Sequence, residues 1–369
     1  MRFKLILFLC CLAGSLFSQK HSYLLAGTYT GGKSKGIYVY RFMPNGSAEL
    51  VDSATTANPS YLAVSPDRQF VYAVNELSAG EGGGRVSAYR FNKNTGKLSF
   101  LNNQSSEGEH PCYITTDAKN RWVIVGNYSS GNVTVLPVQD DGSLGEPLTT
   151  VQHYGRSISN RQEKPHVHAT VLSADNRYLF VPDLGKDKLM IYAFNEATGM
   201  LTPRDTTLKV HPGAGPRHFE FHPNNRWAYL LQELSGTVTA YSYKNGNLSA
   251  FQTISVLPKD FAASFTSADI HLSPDGRFLY TSTRDAANLM TVFSIDGRTG
   301  QLKLQGHHST GGKTPRNFTI DPSGNFLLAA NQQSNDVVLF RRNRQTGKLT
   351  DTGKRIKVGS PVCLKWINP

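Results

Sequence analysis

The sequence predicts an all-β protein: a seven-bladed β-propeller of four-stranded antiparallel blades, its ring closed by a C-terminal strand that joins the N-terminal blade. Three observations predict it. A unit of roughly 50 residues recurs along the chain. Apolar and polar side chains alternate with period two inside each unit. The first unit also lacks a strand that the last residues supply. Composition agrees: hydrophobic residues make 39% and charged residues 18%, and 19 Phe, 16 Tyr and 3 Trp are more apolar rings than a disordered chain carries. The 33 Gly follow no strict period and there are only 4 Cys, which excludes collagen-like and disulfide-scaffold classes. A length of 369 residues would suggest two or three domains of about 150 residues each. The repeats replace that count with one domain over 19–369, preceded by a leader over 1–18.

That leader, MRFKLILFLCCLAGSLFS, has the form of a secretory signal: Arg2 and Lys4, an apolar run from Leu5 to Ala13, then small residues, with cleavage expected after Ser18. The run is shorter than the about 20 residues of a membrane span, so the mature protein is expected to be periplasmic or secreted and free of the membrane. Each unit then opens with a first strand, a turn rich in Pro, Asp, Gly or Asn, and a second strand ending on a polar residue. YLAVSPDRQFVYAVN (61–75), FEFHPNNRWAYLLQ (219–232), IHLSPDGRFLYTST (270–283) and FTIDPSGNFLLAAN (318–331) are the clearest copies, and 113–127 and 169–183 are weaker ones. The turn positions Pro66, Ala118, Ala174, Pro223, Pro274 and Pro322 are followed nine residues later by Asn75, Asn127, Asp183, Gln232, Thr283 and Asn331, so the units align without gaps.

Third strands are expected at 85–91, 132–138, 188–194, 237–243, 289–295 and 336–342, each followed by a turn glycine (Gly96, Gly142, Gly199, Gly246, Gly300, Gly347). Glycine there permits the positive φ of a tight hairpin. A fourth strand completes the blade. The remaining unit is split. Its second and third strands are YLLAGTY (23–29) and GIYVYRF (36–42) with Gly46 in the turn, and SPVCLKWI (360–367) supplies its first strand. Such closure removes the open edges that would template aggregation.

In an antiparallel pair the start of the first strand lies beside the end of the second, so both project at one mouth of the central channel. First-strand starts bring His168, Arg217 and Arg316 there, and the following positions bring His218 and Asn317. Second-strand ends bring Asn75 with Glu76, Asn127 with Tyr128, Asp183, Glu233, Arg284 and Asn331. Deeper positions are apolar (Leu62, Ile114, Phe219, Ile270, Phe318, Leu364) and are expected to pack between blades. A single Asn at a strand end has a plain reading, satisfaction of loop backbone. Four reactive groups converging on one mouth, His168, Arg217, Glu233 and Arg284, point to catalysis. His166, His218, Asn75, Glu76, Asn127, Tyr128, Asp183, His271, Arg316, Asn317 and Asn331 are the candidates for substrate contact.

The segments AGTYTGG (26–32), KPHVHAT (164–170), GAGPRHFEFHPN (213–224), QELSGTVTAY (232–241), ADIHLSPDGRFLY (268–280) and TPRNFTIDPSGNFLLAANQ (314–332) resemble the lactonase family of seven-bladed propellers, which includes bacterial 6-phosphogluconolactonase and the fungal carboxy-cis,cis-muconate lactonising enzyme. The resemblance implies a site at the channel mouth and chemistry on a lactone. A His, two Arg and a Glu have been proposed in the family's muconate enzyme. The matching segments carry His168, Arg217, Glu233 and Arg284, with His166 competing for the first role. Lactone hydrolysis needs a base for water and a donor for the developing oxyanion. Glu233 or His168 would serve as base, and Arg217 and Arg284 would stabilise the oxyanion or hold an anionic group. The expected partner is a small-molecule lactone carrying a carboxylate, a phosphate or several hydroxyls. A muconate-type cycloisomerase and a non-enzymatic ligand- or protein-binding propeller are the alternatives.

No cofactor is expected. His166 and His168 stand two apart, but no third metal ligand follows at a defined spacing and no HExxH occurs, which separates the chain from metal-dependent gluconolactonases of the regucalcin type. There is no GxSxG elbow, and GEGGGR (80–85) lacks the Lys-Ser/Thr of a phosphate loop. The net charge of +12 is spread through turns, with no dense basic run beyond Arg341, Arg342 and Arg344, which argues against nucleic acid. The family resemblance implies a monomer. Cys112 and Cys363 fall in first strands of non-adjacent blades, too far apart to bridge.

Overall fold

The computed structural model describes residues 21–368, so the leader read over 1–18 lies outside the described residues. Seven antiparallel sheets form the ring. From the channel outward, blade 1 is Pro361–Ile367, Ser22–Thr28, Gly36–Phe42 and Ala48–Thr55. Blade 2 is Leu62–Val64, Phe70–Asn75, Arg85–Asn92 and Lys97–Ser105, and blade 3 is Pro111–Thr116, Trp122–Asn127, Asn132–Pro137 and Thr149–Gln152. Blades 5, 6 and 7 begin with Pro216–Phe221, Ser267–Leu272 and Pro315–Ile320, and their second strands end at Gln232, Thr283 and Asn331. The ring closes as the period-two pattern requires: the C-terminal strand pairs antiparallel with the N-terminal one, from Tyr23 opposite Ile367 to Gly27 opposite Cys363.

Blade 4 departs from the regular unit. Its inner strand shrinks to Val171–Leu172, paired with Phe180 and Leu179 of the next strand, Tyr178–Asp183, and ahead of it only an isolated bridge joins Val167 to Asp183. Thr170 Oγ1 donates to the Ile124 carbonyl of blade 3 at 3.2 Å, which ties this stretch to the neighbouring blade. The His168 amide still donates to the Pro182 carbonyl at 3.0 Å, so His168 keeps its place at the mouth without belonging to a strand. The outer edge is also broken, into Leu201–Pro203 and Leu208–Lys209, both paired with Lys188–Phe194.

The blades meet through a contact that repeats seven times. The turn glycine of each outer hairpin lies against an aromatic ring of the preceding blade: Gly46 on Phe326, Gly96 on Tyr23, Gly142 on Phe70, Gly199 on Trp122, Gly246 on Tyr178, Gly300 on Trp227 and Gly347 on Phe278. Glycine at these turns is therefore needed twice, for positive φ and for the absence of a Cβ. Beneath this outer seam, the apolar side chains of facing blades interdigitate. Phe318 packs with Phe278 and Tyr280 between blades 6 and 7, and Leu364 packs with Phe326 and Leu328 between blades 1 and 7. Leu62, Ile114, Phe219 and Ile270 are buried in the same way. Cys112 and Cys363 are both free and buried.

A second recurring feature sits at the head of the inner strands. In blades 1, 3, 5, 6 and 7 the ladder there carries one extra residue, so that Val362, Cys112, Arg217, Ala268 and Arg316 have no direct partner. A bulge of this kind interrupts the alternation of a strand and re-aims a side chain. Among the described residues, no helix is long and apolar enough to cross a membrane.

The seam makes a direct prediction. Gly300 and Gly353 have similar positive φ values, 77° and 74°, but a methyl group at Gly300 would meet the Trp227 ring at 2.5 Å, whereas none lies within 4 Å at Gly353. Gly353→Ala is expected to cost about 1 kcal/mol through backbone conformation alone. Gly300→Ala is expected to cost roughly 3 kcal/mol, because the blade contact must also open. Thermal melts of the two variants check this, and equal midpoints would contradict it.

Candidate active site

At the end of the ring where the inner strands begin, a cavity of about 200 Å³ is lined by Tyr29, Glu76, Cys112, Tyr128, Arg161, His168, Arg217, Glu233, Arg284 and Arg316. Every blade contributes at least one of them. His168, Arg217, Glu233 and Arg284, the four expected catalytic groups, are brought together here, with Glu76, Tyr128 and Arg316 from the second group.

Arg217 is the bulge residue of blade 5 and is 2% exposed. Its Nε donates to the Ala268 carbonyl of blade 6 at 2.5 Å, and Nη1 lies 2.5 Å from both Glu233 Oε2 and His168 Nε2. The other Glu233 oxygen, Oε1, meets Arg161 Nη2 at 3.1 Å and Arg284 Nη2 at 3.2 Å. Burial alone would raise the Glu233 pKa, but the charges of Arg217, Arg284 and Arg161 outweigh it and hold the carboxyl down at about 2. His168 is pushed well below the ordinary histidine value by burial and then by the Arg217 charge. It is therefore a neutral imidazole, and because guanidinium has only donors, Nε2 is the acceptor. Its Nδ1 lies 3.7 Å from Cys112 Sγ. Burial lowers Arg284 to about 10, with Arg217 and Arg316 acting in the same direction and Glu233 opposing.

Two donor groups in this cluster have no protein acceptor. Arg284 Nε is buried without a hydrogen-bond partner. Among the described residues no acceptor lies within hydrogen-bond distance of the Arg316 guanidinium, which stands over the Tyr29 ring at 5.4 Å with Glu76 at 4.0 Å.

The other expected contact residues lie elsewhere. His166 stacks on the Tyr128 ring (centroids 4.4 Å apart) and places Nδ1 3.1 Å from the Tyr128 carbonyl, so it backs the cavity wall. Asn75, Asn127 and Asn331 turn their amides to the carbonyls of Ala57, Ser106 and Thr310, at 2.6, 2.7 and 3.1 Å. Each of those carbonyls belongs to the chain crossing from one blade to the next, which would otherwise bury an unpaired acceptor. Asp183 does related work, accepting from the His166 amide at 2.8 Å and pairing with His153 Nδ1 at 2.6 Å.

His218, His271 and Asn317 form a second cluster around Asp269. His218 Nδ1 is 2.7 Å from Oδ1, and Asn317 Nδ2 and His271 Nε2 are 2.5 and 3.0 Å from Oδ2. Asp269 and then Glu220 raise His271 to about 10 against the effect of burial. With Tyr61, Tyr113 and Glu220, His218, Asp269 and His271 line a separate cavity of about 380 Å³ toward the other end of the inner strands. Among the described residues, no three His, Cys, Asp or Glu side chains are grouped as metal ligands.

Arg161, Tyr29 and Cys112 also line the first cavity. Arg161 lies in the connection between blades 3 and 4, fixed there by Gln162, whose buried amide donates to the Leu184 carbonyl at 2.8 Å. The sequence carries one trace of it: Gly142 to Gly199 is the longest interval between turn glycines, which marks an insertion.

Residues 23–366 match the family described as Lactonase, 7-bladed beta-propeller. The chain is similar to a Bacillus subtilis (strain 168) protein named 6-phosphogluconolactonase, 38% identical over 346 residues, covering 93% of this chain and 97% of that one. A Formosa agariphila protein of the same name is 37% identical over 349 residues, covering 93% and 98%. Among solved structures, the periplasmic gluconolactonase of Pseudomonas aeruginosa superposes with a TM-score of 0.91 at 38% identity, covering 94% of this chain and 99% of that one.

The buried ion pair predicts a pH dependence. The Glu233 pKa falls from an ordinary 4.5 to about 2 on folding, so its stabilisation is present above pH 4.5 and is lost as pH falls through about 2. Glu233→Gln leaves Arg217 uncompensated and is expected to cost roughly 3 kcal/mol at pH 7. In melts from pH 7 to pH 2 the gap between wild type and variant should close below pH 4.5. A gap that stays constant would contradict the assignment.

Proposed function

The chain belongs to the lactonase family of seven-bladed β-propellers, and on that premise we propose that it hydrolyses a sugar-acid lactone in the Arg-rich cavity at the channel mouth. One observation carries the reading: Arg284 Nε is a buried donor without an acceptor, and the Arg316 guanidinium, which lines the same cavity, meets no acceptor nearer than Glu76 at 4.0 Å. A buried unpaired donor is costly in a resting protein and useful where negative charge develops in a transition state. Opening a lactone places that charge on the acyl oxygen as the carbon becomes tetrahedral. The neighbouring charges fit the same task. Arg161, Arg217, Arg284 and Arg316 face only Glu76 and Glu233, so the cavity carries excess positive charge and favours an anionic or oxygen-rich substrate. Bidentate contacts from these guanidiniums suit a carboxylate or phosphate on the sugar acid.

The signal-like residues 1–18 and the resemblance to a periplasmic gluconolactonase both support export. Export favours an unphosphorylated sugar lactone as the substrate, because phosphorylated sugar acids are expected inside cells. The self-contained ring is consistent with action as a monomer.

Purified protein assayed against glucono-, galactono- and 6-phosphogluconolactone, with spontaneous opening subtracted, tests this. At least one lactone should open faster, and Arg284→Ala should lower kcat about 10²- to 10³-fold with an unchanged circular dichroism spectrum. Undiminished turnover in that variant overturns the oxyanion role. A folded protein that binds a lactone without opening it favours a binding propeller, and conversion of a muconate-type acid favours a cycloisomerase.

A further inference from the structure

Two carboxylates enter the cavity, and the repeats place them at the same position of their units. Glu76 follows Asn75 at the second-strand end of blade 2, and Glu233 follows Gln232 at the second-strand end of blade 5. Blades 2 and 5 stand nearly opposite in a ring of seven, so one carboxylate lies on each side of the mouth. Their surroundings differ. Glu233 accepts from Arg217 on one oxygen and meets Arg161 and Arg284 on the other. A carboxylate offers about four lone-pair directions, and three of these are occupied by cations. Glu233 has little proton affinity left for water, as its pKa of about 2 reflects. His168 is no better placed, because its acceptor nitrogen faces Arg217.

Glu76 is the exception. Its two oxygens share a single donor, the Tyr29 hydroxyl, at 3.0 and 2.9 Å, and its nearest cation, Arg316, is 4.0 Å away. The backbone beneath it is fixed by donation from the Glu76 amide to the Asn58 carbonyl at 3.0 Å. Resting on the hydrolase reading above, we propose that Glu76 is the general base that takes the proton from the attacking water, and that Glu233 serves to hold the guanidiniums.

The step balances without a further reactant. The water oxygen bonds to the acyl carbon as one of its protons passes to Glu76, and the carbonyl oxygen becomes an oxyanion facing Arg316 and Arg284. The oxyanion re-forms the carbonyl as the ring C–O bond breaks, and the leaving oxygen takes the proton back from Glu76. The product is a hydroxy acid that ionises to solvent. Two carboxylates with different neighbours thereby take different roles, a division that environment alone produces.

Steady-state kinetics at pH 7 on a lactone opened by the wild type tests the assignment. Glu76→Gln should lower kcat at least 100-fold with KM changed by less than about threefold, as removal of a base without loss of substrate contact requires. Glu76→Ala should be equally slow and regain activity with added formate, which supplies the missing carboxylate to a folded site. Thermal melts establish folding for both variants. An active wild type with undiminished kcat in Glu76→Gln, a rise in KM alone, or a Glu76→Ala variant that formate does not rescue overturns the assignment while leaving the hydrolase reading intact. A wild type inactive on all three lactones overturns both.

Discussion

One buried guanidinium, Arg217, holds the mouth of the ring together. It gives Nε to the carbonyl of Ala268 in blade 6 and Nη1 to His168 of blade 4 and Glu233 of its own blade. A charge at 2% exposure costs several kcal/mol unless it is neutralised and hydrogen-bonded, so three blades must meet in one geometry. The same contacts set the chemistry. They make His168 a neutral acceptor and, together with Arg284 and Arg161, keep Glu233 ionised down to about pH 2. Arg284 remains partly uncompensated, lowered to about 10 by burial and by Arg217 and Arg316. On the function proposed above, the negative charge that develops as a lactone opens would relieve this repulsion.

Such a site requires blades that do not slide. The seven glycine–aromatic contacts fix each outer hairpin against its neighbour, and the inner apolar layers fix the strands below. The reactive groups stand mostly on strand ends, where rigid elements hold them more closely than loops would. The bulges add what a regular strand cannot provide. Consecutive residues of a strand point to opposite faces, yet Arg217 and His218 both reach the channel, one toward each cavity. The extra residue at the head of the inner strand permits this. The same bulge recurs in blade 7, where Arg316 lines the first cavity and Asn317 turns to Asp269.

Much of this was legible in the sequence, because period-two alternation and turn glycines are local signals that seven copies reinforce. The splitting of blade 1 was legible for the same reason, since SPVCLKWI (360–367) carries the pattern of a first strand without a partner. The site was legible only as a set of columns. Asn75, Asn127 and Asn331 share a column with Asp183, and the first two precede residues that do enter the cavity, but a buried amide bonds to whatever orphan lies nearest, and here that is the carbonyl of the inter-blade crossing. Arg161 belongs to no column. Its loop interrupts the repeat, and its reach to Glu233 depends on the buried anchor Gln162.

By itself, the sequence determined the number of blades, their strand order, the closure of the ring and the end of it where His, Arg and Glu collect. These follow from alternation, turn chemistry and repetition, which act over a few residues at a time. Only the tertiary structure decided which members of each column share a cavity, which carboxylate is surrounded by cations and which is left open, and which guanidiniums remain without acceptors. Those outcomes depend on bulges, on a loop outside the repeat and on contacts between blades far apart in the chain. Charge neutralisation and hydrogen-bond satisfaction are settled in space, where Glu76 and Glu233 occupy the same position of the repeat and meet different neighbours.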